Sequence, residues 1–220
     1  MLQNAKDSQG LELRRYEWYG RTNQSDESVA RGHQVKSLFT LHAGEIVAGE
    51  HIEREYKDLE VWVPAKDTGV DLLITGKKNK KALSLQVKYS TNVSSAQKDV
   101  ELNDGLRACG WWTLYPQKIK ESRADYWIFV LRGFESSHFD FIIIPPAELL
   151  NRLNVIHGEK PDRCDTYIWV TKKGRCWETR SLKKVDQSLI AQGKLTDYQP
   201  ERDFSEYLNN WSPLKELNGL

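Results

Sequence analysis

The spacing of apolar and polar positions along the chain predicts helices and strands in alternation. Apolar residues recur at helical intervals over residues 28–55, with a break near Gly44, and again over residues 146–157, where a proline stands at the first position. Further helices are predicted at 116–122 and 181–192. Alternating or continuously apolar runs of strand length lie between these helices. The predicted strands are 59–64, the two runs that flank the turn 76–81, then 125–131, 139–145 and 167–170.

The stretch 69–89 predicts a β-hairpin with polar side chains gathered near one end. Its turn, residues 76–81, is short enough to pair the two apolar runs. Side chains alternate faces along a strand, so Gln86 and Lys88 share one face while the apolar residues around them share the other. Pairing of the runs brings Asp71, at the head of the first run, within reach of the polar face. A carboxylate, an amide oxygen and an ammonium group therefore converge.

These three side chains have the chemistry of a phosphodiester-hydrolysing site. Hard divalent cations such as magnesium take oxygen ligands, usually one or two carboxylates together with water and phosphate oxygens. Asp71 supplies a carboxylate and Gln86 supplies a neutral amide oxygen. A bound cation lowers the pKa of its water, and Lys88 is placed to orient that water or to stabilise charge on a scissile phosphate.

Glu45 stands out within the first predicted helix. It lies seven residues from both Leu38 and Ile52, which places it in the middle of the apolar face of a continuous helix. A carboxylate in that position is costly unless it is paired or binds a metal ion. Two structural explanations stay open: a kink at Gly44 that turns Glu45 to solvent, or an arginine that pairs with it.

The charge of the chain is nearly balanced, and its distribution is more informative than its sum. A net charge of +1 does not mark a nucleic-acid-binding protein. Two segments are nevertheless strongly basic: residues 76–88 carry five lysines and no acid, and residues 171–184 carry six basic residues and one glutamate. Each segment is either a solvated turn or a phosphate-binding patch. The candidate nucleic-acid-binding residues are Lys77, Lys78, Lys80, Lys81, Lys172, Lys173 and Arg175.

Composition narrows the class of protein. With 39% hydrophobic and 29% charged residues, the 220-residue chain has the balance of a globular protein and enough length for one domain with a sizeable core, or for one core plus an appendage. Three cysteines without a CxxC pair argue against a disulfide framework and against a structural zinc site. The N-terminus has no apolar leader region, and no apolar run reaches the length of a membrane span. We therefore expect a cytoplasmic protein that does not associate with membranes.

Three segments resemble the motifs of the PD-(D/E)XK nuclease superfamily. They are GEIVAGE at 44–50, VPAKDTGVDLLI at 63–74 and LQVKYS at 85–90. By this resemblance Asp71 is the metal-binding aspartate and Lys88 is the catalytic lysine. Glu45 matches the helix glutamate that many members use as a second metal ligand. Gln86 stands where the superfamily more often has an acid, so the site carries one negative charge fewer than usual.

The resemblance also implies a fold. The expected class is α/β, built on an α+β mixed sheet: a restriction-endonuclease-like αβββαβ core with helices flanking a central mixed sheet, plus a C-terminal extension. The resemblance covers the nuclease-like core at 28–157. Outside it we expect an N-terminal arm at 1–27 and an extension at 158–220 that packs on the core and contributes to substrate recognition.

Ligands and partners follow from the same resemblance. Magnesium, with manganese as a substitute, is expected on Asp71, Glu45, Gln86 and the Val87 carbonyl, and Lys88 serves the attacking water. The expected partner is DNA, and no small-molecule cofactor is implied. Cutting both strands of a duplex normally takes two sites, so we expect a homodimer.

Four functions are consistent with these motifs. The leading one is a magnesium-dependent endodeoxyribonuclease of the restriction type or another defence type. A repair or recombination nuclease that selects a DNA structure has the same motif. A catalytically inactive nucleic-acid-binding module that kept the nuclease fold is consistent with the glutamine at position 86. The fourth is an unrelated α/β domain in which Asp71 and Lys88 form an ion pair.

Overall fold

The computed structural model describes residues 42–65, 69–78, 81–90, 104–134, 138–159, 162–195 and 199–218. All of them lie in one compact unit, Ser37–Leu220. The described ranges contain five α-helices and eight strands, and the strands form a five-stranded mixed sheet and a three-stranded antiparallel sheet. The protein is therefore of the mixed α/β class that the sequence predicts.

Helices and strands alternate along most of the chain. In chain order the elements are α1 (Ala43–Glu55), β1 (Leu59–Trp62), β2 (Leu72–Gly76), β3 (Ala82–Ser90), β4 (Leu106–Leu114), α2 (Pro116–Lys120), β5 (Tyr126–Arg132), β6 (Phe139–Ile144), α3 (Pro146–His157), β7 (Cys164–Thr171), β8 (Cys176–Glu178), α4 (Lys184–Ala191) and α5 (Ser212–Asn218). Two 3₁₀ turns, Pro200–Arg202 and Ser205–Tyr207, lie between α4 and α5.

The larger sheet has the strand order β1–β2–β3–β5–β6. Its first three strands form an antiparallel meander, in which Leu72 of β2 pairs with Leu85 of β3. β5 lies parallel to β3, with Gln86 opposite Trp127, and β6 is antiparallel to β5. The hairpin predicted around the turn 76–81 is therefore present. β4 and α2 form the long crossover that the parallel pair requires.

Two hydrophobic cores lie on the two faces of the larger sheet. One face packs against α1 and α5, and Ile52 and Leu214 are buried there. The other face packs against α3 and the smaller sheet, around Phe129 and Leu149. Alternate residues of β5 enter the two cores, which explains why its apolar run is continuous.

The elements agree with the apolar pattern where that pattern is strong. α3 has the predicted bounds, Pro146–His157, and it ends at Gly158, which has a φ of 72°. The first predicted helix is described from Ala43 onward, and its residues 28–41 lie outside the described ranges, as does the N-terminal arm 1–27. The pattern does not predict β4, which pairs with β7.

The C-terminal residues take part in both cores. Phe204 is buried in the core beside α3, and Trp211 is buried in the core beside α1. All three cysteines are buried free thiols. Across the described residues, no helix combines the length and the apolar character needed to cross a membrane.

Candidate active site

A cleft of about 890 Å³ opens where β2 and β3 part. β2 begins at Leu72, opposite Leu85, whereas β3 continues to Ser90. One edge of β3 therefore extends beyond the start of β2. The predicted catalytic and metal-binding residues all line this cleft: Glu45, Asp71, Gln86, Val87 and Lys88.

Asp71 ties the exposed edge of β3 to the start of β2. Its backbone N–H donates to the Leu85 carbonyl at 2.8 Å, and its Oδ2 accepts from the Val87 backbone N–H at 2.6 Å. The N–H and C=O of one strand residue point to the same side, so the Val87 carbonyl faces the same edge as the Asp71 carboxylate. A carboxylate has further acceptor positions on its second oxygen. Asp71 and Val87 thus present oxygen atoms together.

α1 brings Glu45 to the cleft. The helix begins at Ala43, and the Glu45 Oε2 accepts from the backbone N–H of the N-cap residue His42 at 3.2 Å. Gly44 lies so close to β3 that a Cβ atom there would be 2.6 Å from the Tyr89 Cβ, so the first turn of α1 is held against the strand. Glu45 is only 7% exposed. It does not turn to solvent, and the hydrogen bond it accepts comes from backbone rather than from an arginine.

Burial raises the pKa of Glu45 above its ordinary value, and the neighbouring Asp71 carboxylate raises it further. The hydrogen bond from His42 and the charge of Lys88 lower the pKa, but they do not cancel the rise. The two carboxylates are therefore close enough to repel each other. A cation between them would relieve that repulsion.

Gln86 and Lys88 alternate with Val87, which belongs to the core beneath α1. The Lys88 Nζ lies over the Trp127 ring, 5.3 Å from its centre, on the opposite face of the sheet. The Trp127 ring is buried, and its Nε1 donates to the Ser122 Oγ at 2.8 Å, which fixes its orientation. A fixed aromatic face thus supports the ammonium group of Lys88.

Comparisons of the chain with protein-family models, curated proteins and solved structures found no match. The function of the cleft is therefore inferred from the groups at its surface.

The oxygen donors of the cleft suit a hard cation. Among the described residues, no three or more His, Cys, Asp and Glu side chains group together as a metal site. The donors here are of another kind: the carboxylates of Asp71 and Glu45, with the Gln86 amide and the Val87 carbonyl as neutral oxygens. Magnesium is held in proteins by one or two carboxylates while it keeps several waters, so this set suits magnesium better than it suits zinc or copper.

The lysine turn of the hairpin lies at the end opposite the cleft. The Lys77 Nζ donates to the Lys57 carbonyl at 2.8 Å, and Lys78 pairs with Asp58 at 3.2 Å. Lys81 adjoins the same end of β3, and Lys80 lies outside the described residues. The structure does not bring Lys77, Lys78 or Lys81 to the predicted catalytic residues.

The second basic segment is also separate from the cleft. Lys172, Lys173 and Arg175 lie in the turn between β7 and β8. The Lys173 Nζ donates to the Gln192 carbonyl at 3.1 Å, and Arg175 pairs with Asp203. Lys173 and Arg175 therefore link this turn to the C-terminal part of the fold.

The second wall of the cleft comes from the end of β4 and from α2, and none of its residues was predicted to belong to a site. Tyr115, at the junction, is 47% exposed, and the Lys118 Nζ lies 5.2 Å from the centre of its ring. The sequence signal for these two residues is an aromatic ring followed three positions later by a cation, at a helix start that Pro116 indicates. The wall consists of Trp112, Thr113, Leu114, Tyr115, Lys118, Glu121, Ser122 and Arg123.

Proposed function

We propose that this chain is a magnesium-dependent endonuclease that hydrolyses phosphodiester bonds in DNA, in a restriction or other defence role. One observation carries the proposal. The fork between β2 and β3 joins two carboxylates, a backbone carbonyl and a lysine in one cleft, and the Asp71 carboxylate is fixed by the Val87 N–H.

The topology supports a nuclease of the PD-(D/E)XK kind. A helix, a three-stranded antiparallel meander, a short helix and a strand parallel to β3 follow one another as expected for an αβββαβ core, although β4 of the smaller sheet is inserted before α2. The candidate ligands lie on α1, at the residue before β2 and in the middle of β3, which is consistent with such a core. The proximity of Glu45 to Asp71 also speaks against an unrelated domain with a simple Asp71–Lys88 ion pair.

Each residue of the cleft has a distinct part in the proposed reaction. Asp71 and Glu45 would hold magnesium, with the Gln86 amide and the Val87 carbonyl as neutral ligands. When bound, the metal stabilises charge on the phosphate oxygens and lowers the pKa of a water molecule. Lys88 orients the attacking water and faces the negative charge that grows on the phosphate.

Plasmid cleavage with magnesium tests the proposal. Asp71→Ala and Lys88→Ala should each lower the cleavage rate by more than about 100-fold, the upper end of the loss seen when a supporting residue of a metal site is removed. Asp58→Ala and Lys57→Ala are matched controls, because they have the same residue types and lie between α1 and β1, outside the cleft. The site assignment is wrong if the Asp71 and Lys88 variants cut as fast as the parent.

The amide of Gln86 favours a second candidate, an inactive binding module. Calorimetric titration with manganese separates the two functions, since an inactive module should bind no metal with or without DNA. Gln86→Glu restores the missing negative charge and should tighten manganese binding.

A panel of linear, nicked and four-way DNA substrates distinguishes a repair role from a defence role, and sedimentation velocity tests the expected homodimer.

A further inference from the structure

We propose that Tyr115 and Lys118 form a stacking platform for an unpaired nucleotide, and that the preferred substrate therefore carries a single-stranded nucleotide beside the scissile phosphate. The inference rests on the proposed nuclease function and assigns the second wall of the cleft. It names a substrate class that the metal site alone does not determine, and a preference for that class would favour the structure-selective repair alternative over the restriction role.

The exposure of Tyr115 is the first observation. Neighbouring aromatic rings on β4 are packed: Trp112 is buried against Phe129, and Trp111 contacts Tyr167. Tyr115 instead leaves 47% of its surface in solvent at the rim of the cleft. Its backbone is the N-cap of α2 and precedes Pro116, so the ring is carried on a fixed junction.

The cations beside Tyr115 supply the second observation. The Lys118 ammonium lies 5.2 Å from the ring centre, and Arg123 lines the same wall. The acid of this wall, Glu121, accepts a hydrogen bond from Gln117 on the same helix. An aromatic ring with adjacent cations is the arrangement by which proteins stack a base and hold its phosphate.

The geometry of stacking selects the substrate class. A base inside a duplex has both faces covered by its neighbours, so only an unpaired or extruded base can present a face to Tyr115. The cleft, at about 890 Å³, lies within the range of pockets that enclose a ligand. Asp71, Glu45 and Lys88 line the same cleft, so a nucleotide stacked on Tyr115 would lie in the space that they share.

Fluorescence anisotropy with the full chain in EDTA tests the platform without relying on cleavage. The probes are a fluorescein-labelled 20-nucleotide single strand and the blunt duplex of the same sequence. Tyr115→Ala should bind the single strand about 5- to 150-fold more weakly, which is the range measured for loss of one stacked base. Tyr115→Phe keeps the ring and should bind like the parent. Lys118→Ala should make the slope of the logarithm of the binding constant against the logarithm of the salt concentration shallower, by the amount expected for loss of about one phosphate contact.

Cleavage of a 5′-flap substrate and of the blunt duplex, both with magnesium, completes the test. The inference predicts a preference for the flap that Tyr115→Ala abolishes and Tyr115→Phe retains. If Tyr115→Ala and the parent bind the single strand with equal affinity, Tyr115 does not stack a base and the proposed platform is wrong, whatever the cleavage result. Absence of cleavage of every DNA by the parent overturns the nuclease proposal instead, while the anisotropy result still decides the platform.

Discussion

At the scale of single residues, Glu45 is held where its charge lowers the stability of the fold. The pKa of Glu45 in the folded chain lies above the ordinary value of 4.5, because of burial and the Asp71 carboxylate. Ionised Glu45 therefore destabilises the fold above the raised pKa, and this effect fades as the pH falls to about 4.5 and the group becomes protonated. A neutral side chain of the same shape removes the penalty.

Glu45→Gln should therefore raise the Tm at neutral pH in EDTA. Glutamine can still accept the hydrogen bond from the His42 N–H, so the helix cap is retained. The gain should vanish near pH 4, where Glu45 is protonated in both states. Thermal melts across this pH range measure the difference.

Magnesium should reverse the order of stability if Glu45 is a ligand. A metal ion that binds the folded state raises its Tm, so the parent should gain more than Glu45→Gln as magnesium is added. The cleavage rate of the variant should fall by at least about 10-fold. Equal magnesium-induced shifts in the two proteins would exclude Glu45 from the metal site.

Some residues of the cleft could be predicted from the sequence and others could not. Gln86 and Lys88 were predicted to share one face of a strand because the alternation of side chains along a strand is a local property. Glu45 was correctly placed on a buried surface, but for a different reason: it is the third residue of a helix that begins at Ala43, not the centre of a long apolar stripe. Tyr115 was missed because its position depends on the pairing of β4 with β7, far along the chain.

At the scale of elements, the contact between α1 and β3 sets the position of the cleft acid. A Cβ atom on Gly44 would lie 2.6 Å from the Tyr89 Cβ and 3.3 Å from the Val87 Cγ1. Backbone and Cβ atoms cannot yield as a flexible side chain can. An added methyl group must therefore move the first turn of α1, and with it Glu45.

Gly44→Ala should destabilise the protein by about 1–3 kcal/mol, the usual cost of overpacking, despite the higher helix propensity of alanine. Gly49→Ala is the matched control on the same helix, because its Cβ would lie an ordinary 3.6 Å from the Val61 Cγ1. It should stabilise the protein by about 0.5–1 kcal/mol and leave cleavage unchanged. Urea unfolding measures both, and a Gly44→Ala protein as stable and active as the Gly49→Ala protein would show that the contact is not tight.

Elements that carry start and stop signals in their own sequence could be predicted, and elements without such signals could not. α3 carries its own signals, a proline at its first position and Gly158 after its last. β4 lacks them: Gly110 stands in its middle, because the Trp112 ring folds over that position and leaves no room for a Cβ. A glycine and two adjacent tryptophans interrupt the alternation of apolar and polar residues that indicates a strand. The strand forms because β4 pairs with β7, which is distant in the sequence.

At the scale of the whole molecule, the C-terminal residues are part of the folding unit. Phe204 and Trp211 lie in different cores on opposite faces of the larger sheet. Asn209 joins the same segment to β6, since its side chain donates to the buried Asp140 and accepts from the Phe141 N–H. Removal of this segment would open both cores, so its first role is structural whatever it adds to substrate choice.

Arg152 of α3 is the main polar link to this segment. Its side chain, 12% exposed, donates to Glu148 and Glu206 and stacks on the rings of Phe204 and Tyr207. It also donates to three backbone carbonyls, those of Pro200, Glu201 and Asp203. Loss of these charged hydrogen bonds leaves carbonyls and carboxylates without their donor, which costs more than the loss of an exposed ion pair.

Arg152→Ala should therefore lower the free energy of unfolding by about 2–4 kcal/mol and the Tm by about 5–15 °C. Arg54→Ala is the control, since Arg54 and its partner Glu55 are 68% and 50% exposed and the change should stay within about 0.5 kcal/mol. Hydrogen exchange should show faster exchange at Phe204 and Leu208, whose N–H groups bond within this segment and to β8. If Arg152→Ala unfolds at the same urea concentration as Arg54→Ala, Arg152 does not stabilise the segment, and its attachment rests on its buried apolar residues and on Asn209.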